Sequence, residues 1–146
     1  MGQGKVYPEM ADKPVKVYKK SHNPHNPYKL HKLTNEMTVK QLVDNLKLKV
    51  FSGESGLNNE INGGYVSDLL SDVIGNAKEG QIWATLQTHK NVIAVASLKD
   101  LSAVIIVKGL KPDSDCMEKS NEEGIPILGT SDYSFELSGK IYKLME

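Results

Sequence analysis

The sequence predicts a three-layer α/β/α domain, built on a mostly parallel sheet of four to five short strands, over residues 37–146. Three observations predict it. Short β-branched runs alternate with segments whose apolar residues recur at helical spacing, the pattern of strands covered on both faces by crossover helices. Capping residues and glycine stops fall at the junctions between them. The 146-residue length suits one core, since single cores close at roughly 100 to 200 residues.

Residues 1–36 stand apart. They hold four of the six prolines, three of the four histidines and seven lysines against three acids, a net of +4, whereas residues 37–146 carry 11 lysines against 15 acids, a net of −4. Residues 19–28 have neither a helical nor a strand period, and their X-Pro steps favour extended backbone. The segment is expected to be a flexible basic leader, either native or left by an expression tag. Nothing preorganises His22, His25 and His31, so no metal site is expected there.

The first helix opens at Thr38, with Gln41 completing a capping box and Met37 and Leu42 placed as a hydrophobic staple. Val39, Leu42, Val43 and Leu46 form its apolar stripe, and Leu48-Lys49-Val50-Phe51 follows as a strand. Ile61 leads into a turn at Gly63-Gly64-Tyr65, after which Ser67 caps a helix carrying Leu69, Leu70, Val73 and Ile74. Residues 82–86 read as a buried strand. Residues 92–98 are rich in β-branched side chains, yet their position between two strands requires a crossover, which favours helix. Residues 103–107 form the central strand. A polar helix follows Asp113, covered on one side by Met117 and stopped by Gly124. Residues 125–128 make a strand with proline near its start, and residues 131–145 close the chain as a helix bearing Phe135, Leu137, Ile141 and Leu144.

Composition narrows the function. Eighteen lysines cancel 18 acids, so no overall field draws the chain to nucleic acid or an anionic membrane. Apolar residues at 39% and charged ones at 25% are globular values, and no apolar run reaches the roughly 18 to 20 residues needed to cross a bilayer. The single Cys116 excludes internal disulfides and multi-cysteine clusters, and no signal peptide opens the sequence; a reducing cytoplasm is expected. Neither phosphate-binding glycine fingerprint occurs, and no nucleophile stands with a base, so the chain is expected to be no enzyme and to need no cofactor.

Four stretches carry a resemblance: Ile61-Asn62-Gly63-Gly64-Tyr65-Val66-Ser67-Asp68-Leu69-Leu70-Ser71-Asp72-Val73, Trp83-Ala84-Thr85-Leu86-Gln87-Thr88-His89, Ile105-Ile106-Val107-Lys108-Gly109-Leu110-Lys111-Pro112, and Gly124-Ile125-Pro126-Ile127-Leu128-Gly129-Thr130 with Phe135 beyond it. Together they resemble the DRTGG domain family across residues 37–146. The resemblance implies an α/β/α regulatory module, usually dimeric. Such modules are found beside cystathionine-β-synthase-type domains in a regulated pyrophosphatase, in phosphotransacetylases, and in a form similar to the amino-terminal domain of HPr kinase. Stand-alone members near clostridial hydrogenase and electron-transfer subunits are similar to this chain, which implies a redox-enzyme partner. Two positions depart from the family's signature: Thr88-His89 stands where Asp-Arg would follow the third strand, and Val107-Lys108-Gly109 where Thr-Gly-Gly would follow the next.

The expected function is a non-catalytic regulatory module binding a small anionic ligand, with nucleotides the first class to test. The alternative is a homodimeric interaction module that organises a hydrogenase or other redox enzyme. Ligands of open α/β sheets sit at strand carboxyl ends, so the candidate site comprises Gly63, Gly64, Thr88, His89, Lys108 and Gly109. Gly63 and Gly64 would offer backbone donors ahead of a helix, Lys108 a charge, and Thr88 and His89 orienting hydrogen bonds. Asp68 and Asp72, four apart, would share a solvated helix face; the acidic helix around Glu118 is read as surface, and Cys116 as structural.

Overall fold

The computed structural model describes residues 36–146 in full and, within the leader, the backbone of two strands, β1 (Tyr18–Lys20) and β2 (Leu30–Lys32). The chain divides into two compact units, Met1–Asn35 and Glu36–Glu146. In the first, β1 and β2 pair antiparallel with Lys19 opposite His31, a ladder that the proline-rich composition did not announce. The remaining expectations for the leader, its histidines' surroundings included, fall outside the described residues.

In the second unit the elements run β3 (Met37–Thr38), α1 (Val39–Leu46), β4 (Lys49–Ser52), β5 (Glu60–Ile61), β6 (Gly63–Val66), α2 (Leu70–Asn76), β7 (Gln81–Thr85), α3 (Asn91–Leu98), β8 (Ala103–Ile106), α4 (Ser114–Glu123), β9 (Ile127–Gly129) and α5 (Ser134–Met145). The main sheet has the order β4-β9-β8-β7-β6. Its last four strands are parallel and only β4 runs against its neighbour, while β3 and β5 form a separate small antiparallel pair. This is the mostly parallel α/β architecture expected, with residues 91–98 helical as the crossover argument required.

Alternation along the strands divides the core. Trp83, Val104, Ile106 and Ile127 point to one face and meet Val73 of α2, Val92 and Ile93 of α3 and Cys116 of α4. Ile82, Ala84, Ala103, Ile105 and Leu128 point to the other and meet Val39 and Leu42 of α1 and Leu137 and Ile141 of α5. At α1 the capping box forms: the Thr38 hydroxyl accepts from the Gln41 N–H at 3.2 Å, and the Gln41 side chain accepts from the Thr38 N–H at 2.9 Å. It satisfies two of the orphan donors that every helix start leaves.

Three local expectations are corrected. Ser67 does not cap α2, which begins at Leu70: its hydroxyl accepts from the Leu69 N–H at 3.2 Å, one residue ahead of the first turn, and the Asp68 carboxylate is held by Thr85. In α4 the buried contact comes from Cys116 and Ser120, with Met117 only half-buried. Phe135, expected on the apolar face of the last helix, is 88% exposed; Leu137 and Ile141 are the buried residues of α5, with Met145 packed partly against the same core.

Ser120 shows how α4 is held. Its hydroxyl is wholly buried, accepts from the Ser52 hydroxyl at 2.9 Å and donates to the Ile125 carbonyl at 2.7 Å, tying the helix to β4 and to the approach of β9. Ser120→Ala strands both groups without water, which costs about 1 to 3 kcal/mol. Urea denaturation of the variant should show a loss of that size with an unchanged slope.

Candidate functional site

Because β6 to β9 are parallel, their carboxyl ends share one edge of the sheet. The loops there are tightly built. Asp68 caps the end of β7: its carboxylate accepts from the Thr85 hydroxyl at 3.0 Å and the Leu86 N–H at 2.9 Å, and its carbonyl accepts from Gln87 at 2.9 Å. The buried Trp83 indole donates to the Ser67 carbonyl at 2.8 Å. Asp72 has a different role. It accepts from Tyr65 at 2.9 Å, and hydrogen bonds from Ser67 and Tyr65 hold its carboxyl below the usual range. The two aspartates therefore form no paired centre.

After β8 the backbone turns through two consecutive left-handed residues, Lys108 (φ 62°) and Gly109 (φ 68°). The Lys108 N–H donates to the Asp132 carbonyl at 2.9 Å and the Gly109 N–H to the Thr130 carbonyl at 2.8 Å, locking this turn onto the loop that follows β9. Beyond β7, the Thr88 carbonyl accepts from the Asp113 N–H at 2.9 Å, joining that loop to the start of α4. Thr88, His89, Lys108 and Gly109 thus lie at the same edge.

Gly63 and Gly64 do not join them. They are extended residues of β6, paired with Gln81 and Ile82 at the amino end of the sheet, with no left-handed φ, and α2 begins only at Leu70, beyond the end of β6. β6 is also an outer strand, three spacings of about 4.8 Å from β9. Strand pairing has overridden the turn preference of the Gly-Gly pair.

The carboxyl edge carries a cleft of about 360 Å³ between the ends of β8 and β9 and the beginning of β4. Lys47, Lys49, Lys111 and Lys140 border it, against one carboxylate, Asp132, which pairs with Lys140 at 2.6 Å. Gly109 is the single member of the expected set that lines it. The Lys108 ammonium lies instead over the Tyr133 ring, 5.3 Å from its centroid. Within the cleft Lys49 sits over the Phe51 ring at 4.8 Å, and that ring leaves no room for a side chain at Gly129. Lys47 and Lys49 are not placed here by sequence because β4 is antiparallel: its first residues, not its last, meet the carboxyl end of β9.

A larger cleft, of about 610 Å³, lies at the amino ends and is lined by Glu60, Glu79, Asp100 and Glu123. Its sign is wrong for an anion. Among the described residues no three His, Cys, Asp or Glu side chains gather as a metal would need. Burial pushes the Cys116 thiol up to about 11, with Asp113 and Asp115 adding to the shift. No described helix is long and apolar enough to cross a membrane.

No family model matches the chain, and no curated protein matches it. Among solved structures it is similar to the CBS and DRTGG domains of the regulatory region of a Clostridium perfringens pyrophosphatase, solved in complex with the activator diadenosine tetraphosphate. The TM-score is 0.56 at 18% identity, covering 67% of this chain and 43% of that one. The likeness is one of fold, a small α/β fold of the kind that structure contains, and the chain spans less than half of that regulatory region.

Lys47 closes α1 in the left-handed conformation (φ 52°, ψ 46°), where a Cβ costs roughly 1 to 2 kcal/mol. Glycine there avoids the cost and gives back about 0.5 to 1 kcal/mol through the entropy of the unfolded chain. Lys47→Gly should therefore raise stability by about 0.5 to 1 kcal/mol in urea denaturation.

Proposed function

We propose that this chain is a non-catalytic regulatory module that binds a small anionic ligand, nucleotides first, in the lysine-bordered cleft at the carboxyl ends of its strands. The observation that carries the reading is the cleft's charge: four lysines and one aspartate line it, in a segment whose net charge is −4. Its volume lies at the small end of ligand pockets, roughly 300 to 1,000 Å³. The regulatory part of the reading draws on the pyrophosphatase region, which was solved with an activator. Gly109 lines the site and Lys108 precedes it in the same turn, while Thr88 and His89 follow β7 farther along the same edge; a cytoplasmic location is proposed with it. Amide chemical shifts under titration with adenine and guanine nucleotides test this. Saturable changes are expected at Gly109, Gly129 and Thr130, with a Kd on the order of tens of micromolar, about −6 kcal/mol. Changes confined to Asn59, Asn62 and Gly124 would put the ligand at the opposite end and refute the site.

A second reading, a homodimer that organises a hydrogenase or other redox-enzyme partner, is favoured by one face of α5. Phe135 and Tyr142 are 88% and 72% exposed and lie on one stripe with Gly139 between them, at spacings of four and three residues. Two neighbouring bare aromatics are costly to leave in water and suit an interface. Sedimentation equilibrium at about 100 μM, well above a micromolar Kd, should give twice the 16.1 kDa chain mass, and Phe135→Ser should return it to one. A single-chain mass for the unaltered protein excludes this reading.

A further inference from the structure

We infer that the carboxyl-end cleft recognises a linear polyphosphate, held along its length by the lysines, whether as the inorganic anion or as the tail of a nucleotide. The inference rests on the anionic-ligand reading above and specifies its chemistry. Lys47 and Lys49 stand at the beginning of β4 and Lys111 follows β8, with the end of β9 between them. Two strand spacings separate those walls by roughly 10 Å. Charge spread over that width matches an extended anion better than one tetrahedral ion or one carboxylate.

None of these three ammoniums is in an ion pair among the described residues. Lys140 is held by Asp132 at 2.6 Å, which places the fourth ammonium beside the floor of the cleft. Every cation is a lysine, since the chain contains no arginine. A planar carboxylate is best gripped by a guanidinium fork, whereas an ammonium is a point charge with three rotatable donors, suited to successive phosphate oxygens. At Gly109, an exposed lining residue, an added Cβ would meet nothing within 4 Å, so this part of the rim is unobstructed. The one ring in the cleft is already engaged: Lys49 occupies a face of Phe51 and the ring abuts Gly129. Among the described residues no second ring lines the cleft to sandwich a base, so the phosphates supply most of the affinity.

Isothermal titration of the full chain at constant ionic strength, with orthophosphate, tripolyphosphate, ATP and adenosine as probes, tests this. Tripolyphosphate should bind about tenfold or more tighter than orthophosphate, and adenosine should not bind. Lys49→Gln and Lys111→Gln should each weaken tripolyphosphate binding several-fold with the fold retained by circular dichroism, because both side chains are exposed; Lys78→Gln, an equal charge change away from the cleft, should not weaken it. ATP binding tighter than tripolyphosphate assigns the nucleotide as source, and equal affinities assign the bare chain. Affinity that does not rise with phosphate number, or that ignores Lys49→Gln and Lys111→Gln, overturns the polyphosphate inference. If nucleotides still shift Gly109 and Gly129 in that case, the small-ligand reading survives; if no probe moves them, both fail.

Discussion

The parallel pairing of β6, β7, β8 and β9 is the constraint on which the second unit depends. Parallel neighbours cannot be joined by a tight turn, so each connection must cross a face of the sheet, and the crossing segments here are α2, α3 and α4. Those helices cover one face and α1 with α5 the other, which leaves β8 buried on both sides through Val104 and Ile106 toward one core and Ala103 and Ile105 toward the other. The same pairing sends every carboxyl end to one edge. Loops collect there because the chain must leave each strand at that edge before crossing back, and the basic cleft is a product of that geometry.

Most of what was legible in the sequence was local, and one element was legible through topology. The capping box of Thr38 and Gln41 involves residues three apart, so their identities suffice to announce it. The helix over Asn91–Leu98 defied its β-branched composition, and topology decided it: a crossover was needed between two strands already assigned. The acidic helix stopped at Gly124 for a similarly local reason, since that residue takes the left-handed cap conformation.

What was not legible depended on partners far along the chain. Gly63-Gly64 looks like a turn until Gln81 and Ile82 are supplied as ladder neighbours. Asp68 looks like a helix residue until Thr85 and the Leu86 amide claim its carboxylate. Phe135 is apolar by composition, yet it lies two residues before Leu137 and so on the opposite side of α5 from the buried Leu137 and Ile141. One wall of the cleft turns on strand direction. Nothing in Leu48-Lys49-Val50-Phe51 tells whether the strand runs with or against its neighbour, and only the antiparallel choice brings Lys47 and Lys49 to the carboxyl edge.

A net charge of zero conceals a separation along the strands. The carboxyl-end cleft is bordered by four lysines and one aspartate, and the amino-end cleft by Glu60, Glu79, Asp100 and Glu123. Strands of four or five residues at about 3.3 Å each put the two charge sets roughly 15 Å apart, beyond a Debye length of about 8 Å at physiological salt. Each cleft then acts on ligands through its own lining, and the −4 of residues 37–146 does not cancel the local field at the lysines. A concave site also focuses that field between low-dielectric walls. Net charge alone therefore does not describe either cleft, and the local basic field is visible only from the placement of Lys47, Lys49, Lys111 and Lys140.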